Sequence, residues 1–303
     1  MNKRGSMMNK PAINRRAFAL RGLSAALAFG LAAAPGFGQP PADKPAGGAA
    51  PAQPPAPAAP AVSEAPKTSD PKAVAVADQL MQGLGGQPAW DGTRYLRFDF
   101  AVERDGKILF TRSHLWDRAT GRYRLDAKTR EGDPFVVLTN INTKEGTAYL
   151  KGAPLAGDEL KKYLQQAFAA WTNDTYWLLM PYKLRDPGVI LGYEGEEKAA
   201  DGTYDKVTLA FDNVGLTPKD RYWVYVNRNT HLVDRWDYVL KGSSDPPTTF
   251  LWKGWRPVGK VMLASERINT KDSTKILFPV LESPATVPDS VFTSVEGAPA
   301  AKP

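Results

Sequence analysis

The sequence predicts an α+β chain that is mainly antiparallel β. Two observations carry this. From about residue 95 to 280, apolar and polar residues alternate with period 2 in one short run after another, and turn residues separate the runs. Helical spacing of apolar residues occurs in only two places. Neighbouring runs joined by short connections imply an antiparallel meander of roughly ten strands, with one face covered and one wet.

The chain has 303 residues, but its ends read differently from its middle. Residues 1–38 have the form of an export signal: a basic start, then "NRRAFAL", then the apolar run "GLSAALAFGLAAAPGFG". The pair Arg15-Arg16 resembles a twin-arginine signal, and the small residues Gly36 and Gly38 suit cleavage before Gln39. An uncleaved anchor is the alternative, but the run is short and Arg21 interrupts its start. The whole chain carries +7; Lys3, Arg4, Lys10, Arg15, Arg16 and Arg21 account for six of those charges, and this segment has no acid, so the rest is only +1. That is not the strong positive charge of a nucleic-acid binder. Residues 39–70 are rich in Pro and Ala, with almost no large apolar side chain, and read as a disordered linker. Residues 297–303, "GAPAAKP", read as a disordered tail. The predicted folded part is 72–296.

There is no cysteine, which excludes disulfides, thiolate catalysis, Cys-ligated metal and a Cys-linked lipid anchor. A domain without disulfides must be held by its core.

The folded part opens on "DPKAVAVADQLMQGLGG". Asp70 is placed to cap a helix and Pro71 to occupy its first turn. Val74, Ala77, Leu80, Met81 and Leu84 form a stripe at helical spacing, and Gly85-Gly86 ends it. The period then changes to 2. Leu96, Phe98, Phe100 and Val102 share one face, with Arg97, Asp99 and Glu103 on the other, and Asp105-Gly106 marks a hairpin turn. Further strand-like runs follow to "KILFPV". One helix interrupts them, "AGDELKKYLQQAFAAW", with Leu160, Leu164, Phe168 and Trp171 as its apolar stripe.

Directly after it comes "TNDTYWLLMPYKLRDPGV". Read as a strand or lid edge, it puts Trp177 and Leu179 on one face and Tyr176, Leu178 and Met180 on the other, with Pro181 and Pro187 preventing regular pairing. Lys183 and Arg185 then lie at a mouth or in solvent.

No catalytic constellation is legible. His114 and His231 each precede an aspartate by three residues, but i and i+3 point to opposite faces of a strand, so Asp117 and Asp234 do not share their sites. Only tertiary approach would bring the two imidazoles together. Glu194, Glu196 and Glu197 have no metal or acid–base spacing, and there is no Gly-x-Ser-x-Gly elbow or phosphate loop. The reading is therefore a non-enzyme without cofactor or metal. The aromatics are the signal: all eight tryptophans lie between 90 and 255. They are either core or the wall of an apolar cavity. The candidate ligand-binding residues are Trp171, Tyr176, Trp177, Leu179, Met180, Tyr182, Trp223, Trp236 and Trp252.

Three stretches, "NDTYWLLMPYKL" after a helix, "RYWVYVNRNTHLVDRWDYVL" as a hairpin and "FLWKGWRPVGKVMLASE" near the end, resemble the LolA/LolB-like superfamily of periplasmic lipoprotein-sorting and lipid-carrier domains. The order of elements resembles it too. The resemblance implies a strongly curved, incomplete β-barrel covered by helices. It also implies an apolar cavity for a lipid or acylated ligand, a periplasmic or secreted location, and membrane contact that is peripheral at most. The rival reading is a structural or regulatory module that binds a protein partner at the cell envelope through an exposed sheet face or edge.

Overall fold

The computed structural model describes residues 68–211, 220–240 and 246–296. The export signal, nearly all of the linker and the tail lie outside the described residues. Three α-helices are present: α1 (Pro71–Gly83), α2 (Gln87–Gly92) and α3 (Gly157–Leu179). The first six strands are β1 (Tyr95–Arg104), β2 (Lys107–Asp117), β3 (Arg122–Lys128), β4 (Pro134–Asn140), β5 (Gly146–Leu150) and β6 (Ala153–Pro154). After α3 come β7 (Val189–Ala199), β8 (Gly202–Phe211), β9 (Arg221–Asn227), β10 (Val233–Val239), β11 (Thr248–Val258), β12 (Val261–Asn269), β13 (Lys275–Leu277) and β14 (Leu281–Glu282). Fourteen strands stand where roughly ten were expected. β6 and β14 are two residues long, too short to show any alternation.

All fourteen form one antiparallel sheet, in the order β6-β5-β4-β3-β2-β1-β13-β12-β11-β10-β9-β8-β7, with β14 also on β1. Two meanders, β1–β6 and β7–β13, are joined where β1 pairs β13 (Val102 opposite Ile276). The sheet does not close: β6 and β7 are its two ends, and α3 is the connection between them. Its 23 residues reach about 34 Å at ~1.5 Å each, so the helix can run from one free edge towards the other.

The contacts of α3 require the sheet to curve around it. Asp174 meets β2, and Trp177, three residues on and about 4.5 Å along the axis, meets β10 and β11. In a flat sheet β2 and β10 are five strand spacings apart, about 24 Å. One short piece of helix reaches both only if the sheet wraps it. The main core therefore lies between α3 and the concave face.

The local chemistry explains the helix ends. The Asp70 side chain accepts from the backbone N–H groups of Lys72 and Ala73, and Pro71 needs no partner in the first turn. Ala73, Val76, Ala77 and Leu80 of α1 are buried against the core, with Leu84 just beyond. Val74 and Met81, predicted for the stripe, are only partly buried. The chain is tied to the sheet before the helix begins: Leu191 N donates to Ser69 Oγ (3.0 Å), and Asp70 N donates to Leu191 O (2.8 Å). After α1, Gly85 has φ +110°, and a Cβ there would stand 2.5 Å from Lys260 O. The positive φ and the close backbone both demand glycine.

On the convex face a smaller cluster of Tyr95, Leu115, Val291 and Phe292 holds the 3-10 turn Asp289–Phe292. Arg124 pins this strap. It is bidentate to Asp126 and donates to the carbonyls of Val291, Ser294 and Val295.

Leu80 is fully buried between α1 and the sheet. Leu80→Ala should lower stability by about 2–5 kcal/mol, and Asp70→Ala, which removes only the cap, by about 1 kcal/mol. Urea unfolding followed by tryptophan fluorescence should show both midpoints falling, in that order, with unchanged slope.

Candidate functional site

The concave face carries one side chain per strand in an unbroken row. In sheet order it runs Tyr123 (β3), His114 (β2), Phe98 (β1), Phe278 (just after β13), Arg267 (β12), Trp252 (β11), Trp236 (β10), Tyr222 (β9) and Phe211 (β8). The ring centres of Tyr123 and His114 are 5.9 Å apart, and His114 stacks on Phe98 at 4.4 Å. Phe98 is 6.2 Å from Phe278, whose ring lies 5.1 Å from the Arg267 guanidinium. That guanidinium sits 3.4 Å over Trp252, which is 6.4 Å from Trp236. Trp236 stacks near Tyr222 at 5.9 Å, and Phe211 meets Tyr222 edge-on at 5.6 Å. Period-2 alternation puts each side chain on the same face; His114 stands directly opposite Phe98 and Arg267 opposite Trp252, and the other neighbours meet on the diagonal. No two neighbours in this row other than His114 and Tyr123 are close in sequence.

The helix α3 lies on this belt. Here the sequence reading is corrected: Thr172–Leu179 is not a strand or lid edge but the second half of α3, and Met180–Lys183 continues as a 3-10 turn. Between Ala170 and Met180 every residue except Asn173 is buried. The apolar residues on both supposed faces of a strand were the mark of a helix enclosed all round. Its polar side chains are satisfied locally: Thr172 Oγ1 donates to Phe168 O (2.8 Å) and Thr175 Oγ1 to Trp171 O (2.6 Å). Pro181 has no N–H to continue the helix and stands just past its end. The predicted stripe of Leu160, Leu164 and Phe168 flanks the buried face, which is Tyr163, Ala167, Ala170 and Trp171.

Two arginines fasten α3 to the belt. Arg112 of β2 grips Asp174 bidentately, Nε to Oδ2 and Nη2 to Oδ1, both at 2.7 Å. Asn173 Nδ2 also donates to Asp174 Oδ1 (2.8 Å). His114 completes the cluster: Nε2 is 3.0 Å from Asp174 Oδ2, and Nδ1 is 2.7 Å from the Tyr123 hydroxyl. Burial holds the His114 pKa below its ordinary value, outweighing the attraction of Asp174. The ring is therefore neutral, accepting from Tyr123 at Nδ1 and facing Asp174 with the Nε2 proton. Burial alone would raise the Asp174 pKa, but Arg112 and His114 outweigh it and hold the carboxyl below the usual range.

The second arginine, Arg267, is fully buried with no acidic partner among the described residues. Its Nε donates to Trp177 O (3.1 Å), and Nη2 lies 3.5 Å from Leu178 O, the last carbonyls of α3. Nη1 donates to Ala264 O and Glu266 O. A cation at a helix C-terminus meets the negative end of the macrodipole, which partly offsets its loss of water. Burial lowers its pKa well below the ordinary value.

The predicted ligand residues divide. Tyr176 and Trp177 meet Trp236 at 6.0 and 4.9 Å, and Trp252 adjoins Trp236; these four are brought together. Leu179 and Met180 are buried beside them in the core. Trp171 packs edge-on against Trp116 at 5.2 Å, towards β2. Tyr182 is stacked on Trp90 at 4.3 Å, and its hydroxyl is 3.0 Å from Leu84 O and 2.8 Å from Met262 O. Trp223 is not with the others. It faces the convex side between Tyr222 and Val224, and its Nε1 donates to Glu194 Oε1 (2.9 Å). Lys183 is paired with Asp186 and Arg185 with Asp78.

Sequence reading missed the residues that fasten the helix: Arg112, His114, Asp174 and Arg267. Asp117, the aspartate near His114 in sequence, lies on the other face of β2, held by Arg94 and Arg122 with its pKa at about 2. His231 sits in the β9–β10 turn with φ 54° and its carbonyl against Gly83. Among the described residues, no group of three His, Asp or Glu side chains is placed to hold a metal ion.

Four indole N–H groups on this side, those of Trp116, Trp171, Trp236 and Trp252, are buried without an acceptor among the described residues. A buried donor without an acceptor costs about 1–3 kcal/mol, so a ligand or water that offers oxygen here is favoured.

No family model matches this chain, and no curated protein matches it. Its likenesses are to solved structures. A LolA superfamily protein from Nitrosomonas europaea is 10% identical, with a TM-score of 0.43 over 73% of this chain and 97% of that one. A DUF1329 family protein from Desulfovibrio piger is 15% identical, with a TM-score of 0.39 over 73% and 96%. The lipoprotein LppX of Mycobacterium tuberculosis is 13% identical, with a TM-score of 0.28 over 73% and 100%.

Two predictions follow from the clasp on α3. Arg112→Met leaves Asp174 buried without its cation and should cost about 3–5 kcal/mol, most of which the double variant Arg112→Met/Asp174→Leu should recover. Chemical denaturation of the three variants checks it. His114 is kept neutral when folded but takes up a proton when unfolded, below about pH 6.5. Its contribution is therefore present above that pH and lost as pH falls. Thermal melts from pH 7.5 to 4.5 should show falling stability in the wild type and a flatter profile in His114→Gln.

Proposed function

We propose that this chain is a non-enzymatic binding or carrier protein of the bacterial cell envelope, taking a lipid or lipidated ligand between α3 and the concave face of its sheet. The observation that carries this reading is the aromatic belt with the unsatisfied indole donors of Trp236 and Trp252, and two more, on Trp116 and on Trp171 of α3, beside it. An acyl chain has the apolar surface that such a wall binds, and ester or carboxyl oxygens are the acceptors that the indoles lack. In the unliganded arrangement Trp177 fills the space against Trp236, Tyr238 and Phe250. A ligand therefore enters by displacing this part of α3 from the belt.

The export-signal form of residues 1–38 supports a periplasmic or secreted location with the signal cleaved. Among the described residues no helix is long and apolar enough to cross a membrane. His114 and Asp174, the one buried His–Asp contact on the belt, are wholly enclosed and serve to fasten the helix. That favours binding over hydrolysis.

The double variant Trp236→Phe/Trp252→Phe keeps a six-membered ring at each position and removes two donors. Native mass spectrometry with lipid extraction, on folded protein purified from the periplasm, should find lipid on the wild type and roughly tenfold less on the variant, whose melting temperature falls with the cavities left by the smaller rings. A lipid-free wild type that also ignores added fatty acids and phospholipids would overturn the reading. So would lipid occupancy that the variant leaves unchanged.

A further inference from the structure

Outside the belt, the described surface has one group of exposed large apolar side chains. Ile108, Leu109 and Phe110 are 51%, 53% and 41% exposed, and they are consecutive. They stand at the start of β2, next to the Asp105-Gly106 turn. Pairing explains why they are bare. β2 pairs with β1 along its whole length, but with β3 only from Ser113 to Trp116. β3 runs on to Lys128 paired with β4 alone. Residues 107–112 of β2 therefore present an open edge, with no backbone bond on that side among the described residues. A bulge leaves Leu109 without a partner on β1, between Phe110 opposite Val102 and Ile108 opposite Glu103. Phe110 turns toward Phe100 at the rim, with rings 6.3 Å apart and the Arg112 guanidinium 4.7 Å above it.

We infer that this edge is a docking site for an extended peptide segment of another protein, which adds as a strand beside residues 107–112 in line with β3 and carries carboxylates. Three observations select that occupant. The free N–H and C=O groups of the edge need partners, which a strand supplies. Hydrocarbon supplies none, so an open edge is not stable inside a bilayer. Residues 107–112 hold no acid, so the same edge of a second copy offers Lys107 no opposite charge. Finally, Lys107 on β2 and Lys128 and Arg130 at the end of β3 have no acidic partner among the described residues. Cations on both flanks of the notch suit a peptide with acidic side chains beside its apolar ones.

The test uses the full chain and a fluorescein-labelled decapeptide that alternates valine and glutamate. Fluorescence anisotropy should show binding, amide hydrogen exchange of residues 107–112 should slow several-fold on the complex, and Lys107→Glu/Lys128→Glu should weaken binding roughly tenfold. Ile108→Ser/Leu109→Ser, two exposed changes that spare the core, should also weaken it without lowering the melting temperature. Absence of binding would overturn the inference, as would equal binding of a valine–lysine decapeptide, or protection confined to other strands. Sedimentation of the protein with phosphatidylglycerol vesicles that Phe110→Ser abolishes would assign the patch to a membrane surface instead. Concentration-dependent dimerisation abolished by the same change would assign it to a second copy.

Discussion

The fold depends on burying the C-terminal half of a helix that carries a carboxylate and a polar end. α3 enters the curve of the sheet with a carboxylate at Asp174 and with the unpaired carbonyls of its last turn. Both are costly away from water unless they are matched. Arg112 matches the first and Arg267 the second, from strands on either side of the seam where β1 joins β13. Because these contacts are directional, they also fix where along the sheet the helix lies. Apolar packing alone would let a helix slide or turn. A bidentate Arg–Asp pair at mid-helix and a guanidinium under its last turn leave one position.

The belt follows from the same placement. Arg267 is both the cap of α3 and a rung in the aromatic row, stacked on Trp252 and near Phe278. The ring faces contribute to holding a cation that has no carboxylate partner. His114 has a similar double part, stacked on Phe98 while it faces Asp174. The polar clasp and the apolar wall are thus one structure. A ligand that moves the Trp177 end of α3 disturbs Arg267 at the same time. The Asp174 clasp nearer the middle of the helix is a second fastening, and its cluster contains a titratable imidazole.

The two sides of the sheet serve different ends. The concave side holds large rings, α3 and the buried face of α1. The convex side holds charged pairs, the Arg124-pinned strap and, at the β1–β2 hairpin, an edge that the meander leaves unpaired. Trp223, on the convex side with Glu194, shows how one step along a strand moves a tryptophan from one environment to the other.

Much of this was legible in the residues alone. Alternation at Leu96, Phe98, Phe100 and Val102, the Asp105-Gly106 turn, the Asp70-Pro71 start of α1 and the antiparallel meander all arise from local periodicity and turn chemistry, which act over a few residues. Tyr176, Trp177, Trp236 and Trp252 stand together in the structure, and nothing in their local spacing sets them apart from Trp223 on the other face. What failed were readings in which local pattern is silent. Tyr176–Met180 is apolar on every side, so neither period shows there, and its helical state comes from being enclosed. The two-residue β6 and β14 exist only because neighbours pair with them. Arg112, His114, Asp174 and Arg267 carry no spacing that links them, since they meet across 62, 60 and 90 residues of chain. Composition and periodicity determined the strands, turns and first helix. The wrapping of the sheet around α3 decided which charges are buried together, because a contact between distant strands has no counterpart in local order.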